Sequence, residues 1–324
     1  MTIGKGSYGR VGVLSGGPSS EREISLRSGK SVYSVLAQEG VDAVLLDISK
    51  DVSSLIKGNG IDVAFIALHG RFGEDGTVQN ILEELNVPYT GSGPRASRLA
   101  LDKVASKEVF IKSGIKVPRY VVFDKDSFNI KNARILGFPV VVKPYLEGSS
   151  IGLSVVREEG DLPAALDKAF EYGQRVLVEE YIYGRELTVG MLNDKPLPVI
   201  EIVTRDNIYD YKAKYSDPDT RYLVPAPVDE SVSRRAQDIA RRSHESLGCR
   251  CFSRIDMMMD SSGALFVLEA NTIPGMTERS LLPKAAQAAG LSFGKLCVTL
   301  IEDALKRFSA PSPGAEVGEK VLGG

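Results

Sequence analysis

The sequence predicts an α/β protein in which a doubly wound parallel sheet is followed by α+β units with antiparallel sheets. Buried strands alternate with helices over the first 100 residues, which favours parallel strands joined by crossover helices. Later strands are separated by short turns instead, which favours hairpins. The 324 residues exceed one average domain, and a hydrophobic content of 43% is sufficient for more than one core.

The first predicted unit, residues 1–100, carries the parallel sheet. Four apolar runs predict its strands, at residues 10–17, 42–48, 62–70 and 87–93. Two stretches with apolar residues at helical spacing predict its helices, at residues 25–38 and 77–86. Ligands of such sheets bind at the carboxyl ends of the strands, so we expect a site at that edge.

Two α+β units are predicted to follow. The central unit, residues 101–186, has helices and strands predicted at residues 102–113, 117–123, 139–145, 152–157, 162–173 and 175–182. The C-terminal unit, residues 187–310, has them at residues 186–192, 197–203, 233–247, 252–271 and 291–308. Residues 204–222 are long and polar, which indicates a functional loop. Residues 311–324 are rich in small residues and proline, which predicts a disordered tail.

Composition excludes several classes of protein. A formal net charge of -2 gives no electrostatic reason to expect nucleic acid or a membrane as partner. No apolar run approaches the roughly 20 residues of a membrane span. The first ten residues lack the apolar core of a signal peptide and are interpreted as a short leader. Three cysteines argue against a disulfide framework, so we expect a cytoplasmic protein.

Three oxygen-bearing side chains lie near the ends of a predicted hairpin. A tight turn at DSSG would place Asp256 opposite Glu269 and Asn271, and strand alternation puts the last two on one face. Oxygen ligands in this arrangement suit magnesium beside a nucleotide phosphate. A solvated sheet end is the alternative.

Charged and glycine-rich segments suggest where a nucleotide binds. Lys143 ends an apolar strand, and the following YLEGSSIG loop can present backbone N–H groups and hydroxyls to phosphates. Glu179, Glu180 and Glu186 follow another buried strand, where adenine and ribose contacts are one interpretation and solvated charges the other. Glycine-rich hairpin loops are common, so neither segment alone identifies a nucleotide site.

Two residues of the first unit are candidates for substrate binding. Glu21 precedes a helix, where it is either a favourable charge at the helix start or a grip for an ammonium group. His69 ends a buried strand at the carboxyl edge of the sheet, although a structural histidine is as compatible with the sequence.

Taken together, these segments resemble the D-alanine–D-alanine ligases of the ATP-grasp superfamily. The resemblance covers residues 11–308 and rests on runs found in family order: GGPSSEREISL, ALHGRFGEDGTVQ, PYTGSG, LDKVASK, VKPYLEGSSIG, VEEYI, YDYKAKY, RIDMMMD and LEANTIPGMT. It implies that a two-part ATP-grasp fold follows the N-terminal domain in the sequence. It also implies that ATP phosphorylates the first D-alanine and that the amine of the second attacks the acyl phosphate. A homodimer is the family's usual assembly.

The resemblance also implies residue roles. ATP contacts are expected at Lys103, Lys143, Ser149, Glu179, Glu180, Tyr181, Glu186, Lys214 and Phe266. Two magnesium ions, which manganese can replace, are expected on Asp256, Glu269 and Asn271. D-alanine contacts are expected at Glu21, His69, Arg254, Gly275, Ser280 and Leu281. The catalytic set is expected to be Glu21, Ser149, Tyr215, Arg254, Gly275 and Ser280.

Specificity depends chiefly on the loop around Tyr215. A tyrosine there resembles the dipeptide-forming relatives rather than those that make D-alanyl-D-lactate. Glu180 departs from some relatives, which carry lysine at that position. A depsipeptide ligase, another ATP-grasp ligase, and a nucleotide-binding module without catalysis remain the alternatives.

Overall fold

A computed structural model of the chain describes residues 8–49, 51–204, 217 and 219–309. Lys214, Tyr215 and the tail at residues 311–324 therefore lie outside the described residues. The strands are β1 Val11–Gly16, β2 Ala43–Ile48, β3 Val63–Ile66, β4 Tyr120–Asp124, β5 Val140–Pro144, β6 Ser154–Val156, β7 Arg175–Glu180, β8 Gly184–Leu192, β9 Lys195–Pro196, β10 Ile200–Val203, β11 Arg221–Leu223, β12 Phe252–Asp260 and β13 Leu265–Asn271.

The α-helices connect and cover these strands. They are α1 Arg22–Gln38, α2 Val52–Gly58, α3 Thr77–Glu84, α4 Pro94–Leu101, α5 Lys103–Lys112, α6 Leu162–Phe170, α7 Glu230–Ser246, α8 Leu281–Ala288 and α9 Phe293–Ser309. Two 3-10 helices lie at Ile130–Leu136 and Glu159–Asp161. Among the described residues, no helix has both the length and the apolar character to cross a bilayer.

The N-terminal sheet is parallel, with strand order β2-β1-β3. Every residue of β1 and β3 is buried, as expected for parallel strands covered on both faces. Helix α1 packs so closely on β1 that a Cβ at Gly29 would lie 2.3 Å from the Cβ of Ser15. The strand predicted at residues 87–93 is reduced to one bridge, between Ala64 and Tyr89.

Two antiparallel sheets form the rest of the fold. The four-stranded sheet has the order β4-β7-β5-β6 and packs against α6. The larger sheet has the order β11-β10-β8-β12-β13, with β9 beside β8. Helix α5 begins at Lys103 because the Asp102 carboxylate accepts hydrogen bonds from the N–H groups of Val104 and Ala105. This cap fixes the helix that supplies lysines to the site.

The hydrophobic cores connect the predicted units. Helix α9, which the sequence assigns to the C-terminal unit, packs against α1 and β3 of the N-terminal unit. Helix α4 spans the predicted boundary at residue 100, and its Ala96 and Ala100 lie in the core of the larger sheet. Helices α2, α4 and α8, of seven or eight residues each, are absent from the sequence prediction, whereas α3, of eight residues, is part of it.

Candidate functional site

Two pockets meet above the β12–β13 hairpin. The first, the inter-sheet cleft, lies between the two antiparallel sheets and has apolar walls formed by Val141, Ile151, Leu153, Val155, Ile182 and Met258. The second, the polar chamber, lies between the N-terminal unit and the hairpin, and its lining includes Glu21, His69, Ser149, Arg254, Gly275 and Ser280. An apolar slot with a few charged groups is typical of a small-molecule site.

A buried ion cluster forms the floor of the cleft. Lys107 Nζ lies 2.7 Å from one carboxylate oxygen of Glu179, and Lys143 Nζ lies 2.8 Å from the other. Burial lowers the pKa of Lys107 to about 8. Burial alone would raise the pKa of Glu179, but the two lysines outweigh it and hold that pKa below its usual range. The cluster therefore has more positive than negative groups, which suits a phosphate chain.

A β-bulge in the hairpin brings the acidic residues together. Asp256 pairs with Glu269, whereas the next residue, Met257, pairs with Val267, so Leu268 is the extra residue. If the strand pairing next to the turn continued without a bulge, Glu269 would lie on the face of the sheet opposite to Asp256. The carbonyl of Leu268 accepts a hydrogen bond from Lys107 Nζ at 3.1 Å. The ion cluster thus satisfies the polar group that the bulge leaves outside the ladder.

Asp256, Arg254 and Asn271 are joined by hydrogen bonds at the wall shared by the two pockets. Arg254 donates from Nε at 2.8 Å and from Nη2 at 2.6 Å to the two oxygens of Asp256. Thr188 and Asn271 donate to the same carboxylate, at 2.6 and 3.0 Å. Asp256 and Glu269 line the cleft, while Arg254 and Asn271 line the chamber.

The donor set fits magnesium. Asp256 pairs with Glu269 in the hairpin, Asn271 lies two residues further along β13 opposite Arg254, and the three provide the hard oxygen ligands that this ion prefers. Within the described part of the chain, no group of three or more His, Cys, Asp or Glu side chains is arranged to hold a metal. The donor set of the predicted site is two carboxylates and one amide.

The glycine-rich loop at residues 145–152 closes the junction between the pockets. Lys103 Nζ donates to the carbonyl of Glu147 at 2.6 Å and lies 3.4 Å from Glu269. Ser149 Oγ donates a short hydrogen bond to Glu21. Gly148 leaves no space for a side chain, because a Cβ there would lie 2.6 Å from a Glu21 oxygen. The loop is thus attached to both walls of the site.

Glu21 and His69 lie together in the chamber. Glu21 is buried at the N-cap of α1 but makes no capping hydrogen bond, so its carboxylate is directed to the loop and the chamber rather than to the helix. Burial lowers the pKa of His69 to about 4. Burial, and then the charge of Glu21, raise the pKa of the neighbouring Glu74 to about 8.

Most of the remaining residues predicted to contact D-alanine or ATP line one of the two pockets. Gly275, Ser280 and Leu281 line the chamber. Lys103, Lys143, Glu179, Glu180, Tyr181 and Glu186 line the cleft. Ser149 lines the chamber, whereas its neighbour Ser150 lines the cleft.

Three predicted ATP contacts have other partners. The carboxylate of Glu180 accepts two hydrogen bonds from Arg119, at 2.8 and 2.6 Å. The backbone N–H of Tyr181 donates to Pro139 at 3.2 Å. Phe266 lies opposite Met258 but is not among the residues that line the cleft, and Lys116 Nζ lies 6.0 Å from its ring centre.

Sequence reasoning missed Lys107, Glu74 and Ser28. Lys107 had a detectable signal, since Lys103, Ser106, Lys107 and Phe110 form the buried face of α5, and two lysines on a buried face need partners. Glu74 lies in the GEDG turn, where a solvated turn residue is the ordinary interpretation. Ser28 is one of several serines on α1, and nothing in the sequence distinguishes it.

The fold and the two adjoining pockets define an ATP-grasp ligase, in which two antiparallel sheets hold the nucleotide. Two family models match the chain, described as the D-ala D-ala ligase N-terminus at residues 49–92 and C-terminus at residues 109–302. The chain therefore belongs to the D-alanine–D-alanine ligase family.

Individual relatives agree with this assignment. The D-alanine–D-alanine ligases of Citrifermentans bemidjiense and Syntrophotalea carbinolica are 45% and 46% identical to the chain, over 304 and 302 residues. They cover 94% and 92% of this chain and 99% and 97% of their own. A crystal structure of D-alanine–D-alanine ligase from Bacillus anthracis has a TM-score of 0.84 and 37% identity, covering 92% of this chain and 98% of that one. The structure of that organism's ligase complexed with ATP has a TM-score of 0.82 and 34% identity, covering 93% and 98%.

Proposed function

We propose that this chain joins two D-alanine molecules into D-alanyl-D-alanine for peptidoglycan precursor synthesis, with hydrolysis of ATP to ADP and phosphate. One observation carries the proposal. The cleft and the chamber adjoin where Asp256, which lines the cleft, is hydrogen-bonded to Arg254 and Asn271, which line the chamber, next to Glu269 and the glycine-rich loop. A phosphoryl group that is transferred from a nucleotide in the cleft to a carboxylate in the chamber must cross the boundary at these residues.

The first step is phosphorylation of the first D-alanine. Its ammonium group binds the buried carboxylate of Glu21, which the hydrogen bond from Ser149 orients. Lys103, Lys143 and the backbone of the glycine-rich loop hold the triphosphate. The adenine fits the apolar slot near Tyr181, and Glu186 binds the ribose. Positioning and charge neutralisation provide most of the catalysis in such a transfer.

Magnesium is part of this proposal. Asp256, Glu269 and Asn271 would hold two ions, for which manganese could substitute. When bound, the ions neutralise charge that develops on the phosphate oxygens. Lys103 contributes from the protein side, because its ammonium group lies beside Glu269 and the loop.

The second step is attack by the amine of the second D-alanine on the acyl phosphate, which forms the peptide C–N bond, breaks the acyl C–O bond and releases phosphate and an amine proton. The tetrahedral oxyanion is stabilised by Arg254 and by the N–H of Gly275. The two hydrogen bonds to Asp256 fix the plane of the Arg254 guanidinium, so that it is already oriented when charge develops. Ser280 and Lys214 bind the carboxylate of the second substrate, beside Leu281. Tyr215 joins Glu21 and Ser149 in closing the site.

The setting of this activity is also proposed. The net charge and the small-molecule pockets support a cytoplasmic enzyme that acts on D-alanine and ATP, without nucleic acid or membrane as partner. A homodimer is the assembly expected for the family. Units at residues 1–100, 101–186 and 187–310 remain our division of the chain, with the second and third enclosing the cleft.

A phosphate-release assay tests the proposal. Release should require ATP, magnesium and D-alanine together. Arg254→Ala should lower kcat by about 10²–10³-fold, the usual effect of losing an oxyanion donor. Arg241→Ala, which removes only surface ion pairs of α7, is the matched control. Full turnover by Arg254→Ala would refute the oxyanion role. Release with D-alanine plus D-lactate at neutral pH, but not with D-alanine alone, would favour a depsipeptide ligase.

A further inference from the structure

The segment that carries Gly275 is anchored at both ends in the N-terminal unit. Ile273 is buried in the core between the N-terminal sheet and helices α2 and α3. Met276 is buried in a core that the N-terminal sheet and α1 share with β10, β12, α8 and α9 of the C-terminal unit. Only Pro274 and Gly275 separate these two anchors. Elements of the N-terminal unit therefore contact both anchors of the Gly275 N–H, although the segment follows β13 of the larger sheet.

Hydrogen bonds from the same unit hold the backbone at each anchor. His69 Nδ1 lies 3.0 Å from the carbonyl of Ile273, and the N–H of Ile273 donates to Glu74 at 3.3 Å. The N–H of Met276 donates to Ser28 Oγ at 3.4 Å. Glu74 is itself held by the N–H of Gly70, at 2.7 Å.

The directions of these hydrogen bonds are determined by chemistry. A carbonyl only accepts, so Nδ1 of His69 carries the ring proton and Nε2 is the acceptor. Ser28 Oγ, 2.9 Å from Nε2, must then donate to the ring, which leaves its lone pairs for the N–H of Met276. Each of these hydrogen bonds thus fixes the direction of the next one. The contacts at 3.3 and 3.4 Å are long, as such bonds often are before substrate binds.

We propose that Ser28 and Glu74, together with His69, are positioning residues that hold residues 273–276 so that the Gly275 N–H points at the tetrahedral oxyanion. This inference rests on the proposed function and extends it to side chains that need not touch the substrate. Ser28 acts at the Met276 end and Glu74 at the Ile273 end. His69 connects the two ends.

The test compares two buried serines of α1. Ser28→Ala removes the hydroxyl of the chain, whereas Ser25→Ala removes a hydroxyl that donates to the Ala67 carbonyl at 2.8 Å and does not contact the segment. Ser28→Ala should lower kcat about tenfold, a fraction of the 10²–10³-fold cost of losing an oxyanion donor outright. The KM for ATP should change less than about twofold. Ser25→Ala should keep kcat within about twofold.

A tetrahedral analogue separates positioning from general weakening of the fold. A phosphinate analogue of the dipeptide should bind Ser28→Ala more weakly by the same factor as the loss in kcat, because it mimics the transition state. Equal losses of kcat in Ser28→Ala and Ser25→Ala, or unchanged phosphinate affinity in Ser28→Ala, would overturn the inference. If Ser28→Ala does not fold, Glu74→Gln gives the same test at the Ile273 end. Failure of the wild-type protein to release phosphate would instead overturn the proposed function.

Discussion

Replacing Lys107 by methionine should destabilise the protein and weaken nucleotide binding together. Lys107 is fully buried, so the change leaves two groups without their partner: one oxygen of Glu179 and the carbonyl of Leu268. Breaking a buried pair costs about 3–5 kcal/mol. Lys143 still pairs with Glu179, at 2.8 Å, so we expect the lower end, about 3 kcal/mol. The KM for ATP should rise because the cleft loses a positive charge.

Urea unfolding followed by circular dichroism measures the first effect, and steady-state kinetics measure the second. Lys112→Met is the matched control, because Lys112 is exposed at the end of the same helix, α5. It should change the free energy of unfolding by no more than about 0.5 kcal/mol. The reasoning is refuted if Lys107→Met loses less than about 1 kcal/mol, since a satisfied buried cation cannot be that easily removed.

Two further predictions concern the chamber. The pKa of His69 falls from 6.5 to about 4 on folding, so its contribution to stability is present above pH 6.5 and lost as the pH falls towards 4. Between pH 6.5 and pH 5, the wild type should lose about 2 kcal/mol relative to His69→Gln in urea unfolding, because the raised pKa of Glu74 changes stability in the opposite direction in both proteins; an equal pH dependence of the two would contradict the assignment. Gly148→Ala places a Cβ against Glu21 and should lower kcat/KM for D-alanine about tenfold without unfolding the protein. Gly160→Ala, with nothing within 4 Å of the added Cβ, is its control, and equal effects would contradict the close approach.

The order of elements and the fold class could be predicted because apolar periodicity is a local property. The buried strands β1 and β3 and the hairpin from β12 to β13 all follow from short runs of sequence. The short helix α8 is not predicted, although α3 has the same length of eight residues and is. The bridge at Tyr89 replaces a predicted strand because an apolar run alone does not specify backbone pairing.

The residues of the candidate site also divide into those that the sequence predicts and those that it does not. Glu21 precedes α1, His69 follows β3 and Asp256 lies within β12, and the positions of all three can be predicted from these neighbouring elements. The anchoring of Ile273 and Met276 depends on contacts between residues 199 and 248 positions apart, for which one sequence has no signal. Glu180 follows a strand as expected, yet its partner is Arg119, a residue that only the sheet order brings near.

The bulge at Leu268 connects the buried Lys107 structurally to the acidic pair, Asp256 and Glu269. Strand alternation from the turn would put Glu269 on the face opposite Asp256, so one extra residue is required to bring both carboxylates to the same face. An extra residue leaves a carbonyl without a ladder partner, and a buried carbonyl needs a donor. Lys107 is that donor, and its charge is compensated by Glu179 at the floor of the cleft. The acidic pair of the proposed metal site and the ion cluster below it therefore depend on each other.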